Sequence, residues 1–71
     1  MREAEREQNL GAGLMRVSQA AEWLGISRAG VYRLLNEGEI RSIRVGAARL
    51  IPRYAVHDFA LKRIQEAQAD G

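Results

Sequence analysis

Residues 26–35 read Ile-Ser-Arg-Ala-Gly-Val-Tyr-Arg-Leu-Leu, the pattern of a short helix with one apolar face. Val31, Leu34 and Leu35 fall at i, i+3 and i+4, so they point inward together, and Ser27 is placed to cap the first turn. Their burial leaves Arg28, Tyr32, Arg33 and Asn36 on the opposite side. A face of that kind is either an ordinary solvated surface or a surface for a polyanion such as a nucleic acid. The flanking chain decides between them.

Upstream, Val17, Ala20, Ala21 and Leu24 recur at helical spacing and predict a helix over 17–24, with Ser18 near its start as a cap and Gly25 where a residue of positive φ would end it. The turn Gly25-Ile26-Ser27 then joins two short helices, the outline of a helix-turn-helix. Trp23 is expected to pack against a neighbouring element. Downstream, Gly38 stops the second helix and the pattern changes to alternation: Arg41, Ile43 and Val45 on one parity, Ser42 and Arg44 on the other. Gly46, Ala47 and Ala48 read as a turn, and Arg49, Leu50 and Ile51 as a return strand ended by Pro52. A bare hairpin is marginal in water, so Ile43, Val45 and Ile51 are expected to lie on the helical core. Pro52 also suits the opening of a third helix. Ala55, Val56, Phe59, Ala60 and Ile64 form its apolar stripe, with Arg53, His57, Asp58, Lys62 and Arg63 outside. Leu61 falls off the stripe, as a lone exposed leucine or a self-association contact. The predicted fold is mainly α with a small β-hairpin: helix, turn, helix, two-stranded wing, helix, a winged helix-turn-helix in miniature.

Seventy-one residues make one small domain. The chain has no cysteine, which excludes a disulfide framework and a thiolate metal site. It holds no apolar run approaching about eighteen residues, and Met1 to Gln8 is charged where a signal peptide needs an apolar core, so a cytoplasmic location is expected. The net charge of +2 is unevenly spread. Residues 15–64 carry nine basic side chains against four acidic ones, a net +5, and eight of the nine are arginine. The planar arginine fork matches phosphate and guanine better than an ammonium does. Residues 1–14, with Asn9, Gly11 and Gly13 and no apolar stripe, are expected to be a flexible arm, either an inert leader or a segment that orders on a partner. Residues 15–64 are the folded domain and 65–71 a frayed tail.

Catalysis finds little footing. His57 and Asp58 are sequence neighbours about 100° apart around a helix, a poor basis for a relay. No metal ligands sit at i, i+4 in the zinc pattern, and Gly11-Ala12-Gly13 lacks the third glycine of a nucleotide fingerprint. The chain reads as a non-enzyme without cofactor or metal.

The run Val17-Ser18-Gln19-Ala20-Ala21-Glu22-Trp23-Leu24-Gly25-Ile26-Ser27-Arg28, followed by Val31-Tyr32-Arg33-Leu34-Leu35, Glu37-Gly38-Glu39-Ile40, Arg44-Val45-Gly46 and Ile51-Pro52-Arg53, resembles the excisionase-type DNA-binding domain, a branch related to the MerR-family winged helix. The match covers about residues 15–62. The resemblance implies a second helix in the major groove of double-stranded DNA and a wing on the backbone or in the minor groove. Its implied DNA-binding residues are Ser27, Arg28, Ala29, Tyr32, Arg33 and Asn36 on the helix, and Arg44 and Arg49 on the wing. It further implies a phage or mobile-element excisionase, a recombination directionality factor that loads cooperatively, bends DNA and serves an integrase. A small transcriptional regulator with the same surface is the nearest alternative, and a basic protein-interaction module a more distant one. Two positions depart from the family pattern: Ala47 and Ala48 stand where relatives carry wing-tip arginines, and Gly30 where a serine or threonine is usual.

Overall fold

The computed structural model describes residues 13–70. The N-terminal segment read above as an arm lies, for residues 1–12, outside the described residues. A short strand β1, Leu14–Arg16, leads into helix α1, Val17–Leu24, and after the turn into helix α2, Arg28–Asn36. Strands β2, Ile43–Val45, and β3, Ala48–Pro52, form a hairpin, and helix α3 runs Arg53–Asp70. The result is three helices plus a small antiparallel hairpin, with β1 added to the hairpin in the order β1-β3-β2.

Both helices of the helix-turn-helix stop in the same way. At the end of α1 the Gly25 N–H donates to the Glu22 carbonyl and the Ile26 N–H to that of Ala21, with Gly25 at φ 73°. At the end of α2 the Gly38 N–H donates to Leu35 and the Glu39 N–H to Leu34, with Gly38 at φ 76°. These are Schellman motifs, which satisfy terminal carbonyls and need a residue at ease with positive φ. Gly25 and Gly38 therefore set the length of each helix.

The start of α1 differs from expectation. Ser18 lies inside the helix and Arg16 is its N-cap, because α1 follows β1 directly. Gln19 Oε1 accepts the Arg16 N–H at 2.8 Å, satisfying the N-cap donor. Ser27 does cap α2, its Oγ accepting the Gly30 N–H at 3.0 Å.

The core joins Met15, Val17, Ala20, Ala21, Val31, Leu34, Leu35, Ile40, Ile51, Ala55 and Val56, with Leu24, Tyr54 and Phe59 packed at its margin. Ile51 sits opposite Met15 across the β1–β3 pair, so the added strand ties the hairpin to the helices. Ile43 and Val45, expected in the core, are instead 47% and 55% exposed. The cause is register. The turn is two residues, Gly46 and Ala47, so the strand pairs are Val45 with Ala48, Arg44 with Arg49 and Ile43 with Leu50. Ile43 and Val45 thus share a face with Leu50, one residue out of phase with Ile51, and a shift of one residue turns a strand side chain over.

Helix α3 departs in the same sense. Its stripe is buried at Ala55 and Val56, half-buried at Phe59 and Ala60, and open at Ile64, which is 54% exposed. At about 1.5 Å per residue, eighteen residues reach far beyond the eight-residue α1, and among the described residues nothing of similar length covers the end. The helix continues through residues 65–70, the segment expected as a frayed tail; the exposed glutamines, glutamate and alanine at 65–68 favour the helix by propensity. Leu61 is exposed, as its position off the stripe implies.

Candidate nucleic-acid interface

Burial of Val31, Leu34 and Leu35 orients α2 and determines what it shows to solvent. Arg28, Ala29, Tyr32, Arg33 and Asn36 are all exposed; at about 100° per residue Ala29, Tyr32, Arg33 and Asn36 lie away from the buried three, and Arg28, exposed at the first turn, stands at the edge of that sector on the side of Leu35. The arginines stand one turn or more apart with the tyrosine ring between them. The helix has no acidic residue in its first turn, where Arg28 stands instead. A cation beside the positive end of the helix dipole is unfavourable in isolation, and a bound anion would relieve it. Ser27 uses a lone pair for the cap, which leaves its hydroxyl proton to donate outward.

Gly30, the oddity of this helix, does not open toward the Arg28–Tyr32 flank. A Cβ there would meet Ile26 Cδ1 at 3.3 Å and Ser27 Oγ at 3.4 Å. The missing side chain makes room for Ile26, beside a groove that α2 forms with Phe59 and Ala60 of α3.

The wing places Arg44 and Arg49 directly opposite each other on neighbouring strands. Arg44 is exposed and Arg49 half-buried, and Arg49 Nε donates to Ser42 Oγ at 2.9 Å. That bond fixes the stem of Arg49 and leaves its terminal nitrogens to other partners. Two like charges facing each other across a hairpin destabilise it, which is a second local cost that an anion would offset. Sequence reasoning missed the Ser42 bond; the signal was the parity shared by Ser42, Arg44 and Arg49 across a two-residue turn.

Trp23 packs as expected, its ring stacked on His57 of α3 at 4.6 Å between centroids and 21° between planes. Arg63 lies over the Phe59 ring at 5.2 Å. Among the described residues there is no group of three or more histidine, cysteine, aspartate or glutamate side chains that could hold a metal ion, and no helix is long and apolar enough to cross a membrane.

Two short helices across a three-residue turn, followed by a basic hairpin and a third helix, define a winged helix-turn-helix, a DNA-binding class of domain. The chain belongs to the helix-turn-helix domain family, whose model matches residues 14–64. It is similar to a Saccharopolyspora erythraea protein named "Probable excisionase", 43% identical over 56 residues, which cover 79% of this chain and 57% of that protein. A protein of Mycobacterium tuberculosis named for DNA binding, present in two strains, is 38% identical over 45 residues, 63% of this chain and 58% of its own length. The chain thus spans less than two thirds of the length of these relatives. No solved structure matches it significantly.

Proposed function

We propose that this chain is a sequence-specific double-stranded DNA-binding protein of the excisionase kind, a recombination directionality factor that acts through DNA architecture and a partner integrase. The observation that carries the reading is the outward sector of α2, where two arginines, a tyrosine and an asparagine lie exposed around a buried apolar triplet. In this reading α2 enters the major groove. Arg28, Tyr32 and Arg33 meet bases and phosphates, with Ser27 and Ala29 at the first turn and Asn36 at the margin. Arg44 and Arg49 meet the backbone beside the wing. The likeness to a protein named as an excisionase favours that role over transcription regulation.

Size supports cooperative action. Single small modules bury roughly 600–1,000 Å² on DNA, so one copy binds weakly and adjacent copies gain from effective concentration. Several basic proteins along one face bend the duplex, which assists assembly of a recombinase complex. The unit that does this spans residues 15–64 and works in the cytoplasm without cofactor or catalysis.

The test is footprinting on a duplex enriched from a random-sequence pool. Arg28→Ala and Arg33→Ala each lower specific affinity by about 1–3 kcal/mol while leaving far-UV circular dichroism unchanged. Parental footprints from both variants would overturn the assignment of the recognition face. Equal affinity for the enriched and a scrambled duplex at every salt concentration would overturn sequence-specific binding altogether.

A further inference from the structure

The wing carries its charge behind its tip. The residues that close it are Val45, Gly46, Ala47 and Ala48, of which Val45, Gly46 and Ala47 are exposed. Gly46 has φ 61° and Ala47 does not have a positive φ, the signs of a type II′ turn, which joins twisted strands through two residues. With a valine, two alanines and no side chain at Gly46, the tip is slim at right angles to the sheet. Arg44 and Arg49 sit one residue further back as a facing pair, and the bond to Ser42 keeps the Arg49 stem from swinging. A slim apolar tip backed by two paired cations matches a groove with phosphate walls and a floor of base edges.

We propose that this tip enters the minor groove and selects A·T over G·C pairs by apolar contact, with Arg44 and Arg49 on the flanking phosphates. The proposal rests on the DNA-binding reading above and adds a specificity determinant to it. Its chemistry lies in one group. In the minor groove A·T pairs present acceptors alone, whereas G·C adds the guanine N2 amino donor. The side chains of Val45, Ala47 and Ala48 cannot accept from that donor and would strip its water, leaving it unpaired. A bulky tip would stay on the walls; the alanines let this one reach the floor.

The experiment uses the full chain and the duplex enriched from a random pool. Each A·T pair of the enriched site is replaced in turn by G·C and by inosine·C, which keeps the major-groove edge of G·C but lacks the N2 amino group. At a short run of adjacent pairs G·C is expected to cost about tenfold in affinity, typical of one mismatched pair, and inosine·C little. In a Val45→Thr/Ala47→Ser double variant, nearly isosteric and at exposed positions, hydroxyls accept from the amino group and the G·C penalty falls to less than about threefold; a thermal melt confirms that the variant is folded. Inosine·C costing as much as G·C at every pair would overturn the proposal, as would a double variant that keeps the full penalty. A pool that yields no enriched site overturns sequence-specific binding itself, whereas an enriched site indifferent to the amino group overturns this proposal alone.

Discussion

Replacing Ile51 and Ile43 separately by alanine asks whether strand register or residue type decides stability. Both are isoleucines in the hairpin, both β-branched. Ile51 is fully buried against Met15, whereas Ile43 is 47% exposed beside Leu50. Isoleucine to alanine deletes three carbons, about 2.4 kcal/mol of transfer free energy at about 0.8 kcal/mol each. At Ile51 a cavity term adds to this, for a total of about 3–4 kcal/mol. At Ile43 roughly half the side chain already meets water and no cavity forms, so the cost is about 1 kcal/mol. A domain of this size has roughly 3–8 kcal/mol in all. Each kcal/mol moves the midpoint by about 4–8 °C, so Ile51→Ala should lower Tm by more than about 12 °C, or fail to fold at 37 °C, and Ile43→Ala by less than about 8 °C. Thermal and urea melts followed at 222 nm read both. Equal losses would refute the register and restore the expectation that both isoleucines lie on the core.

Three further outcomes follow from the helices and the wing. Ser27→Ala leaves the Gly30 N–H without its cap and should cost about 1 kcal/mol in a urea melt, with Ser27→Asp recovering most of it. Gly30→Ala gains about 1 kcal/mol of helix propensity; the close contact is with the end of an exposed, movable Ile26 side chain, so a net rise in Tm is expected and a fall would mean that Ile26 is held in place. Arg49→Ala should weaken binding to every duplex and reduce the slope of log affinity against log salt by about one; a loss confined to one site sequence would contradict a phosphate contact.

Much of the site was open to a reader of the sequence because helical faces are local. The spacing of Val31, Leu34 and Leu35 determines which side of α2 is wet, and the positive φ that a Schellman stop requires marks Gly25 and Gly38 as its ends. Those two features alone place Ala29, Tyr32, Arg33 and Asn36 on one exposed sector with Arg28 at its edge, and the capping serine follows from its position before the first turn. The winged order of elements was legible for the same reason. The cap of α1 was not, since it depends on where β1 ends and not on the hydroxyl nearest the helix.

What the sequence could not carry is whatever depends on partners distant along the chain. Three residues, Leu14 to Arg16, show no alternation to betray a strand; they become one because β3 offers a free edge. The inward parity of the wing was set by the length of its turn, which pairs Ile43 with Leu50 and turns Ile51 alone to the core. The overhang of α3 beyond Phe59 was decided by how far the short helices extend, although Ile64 continues the stripe perfectly in register. Local periodicity, governed by the geometry of one segment, determined the helices and the basic face. Strand pairing and the extent of burial, which no segment possesses alone, were decided by the tertiary structure.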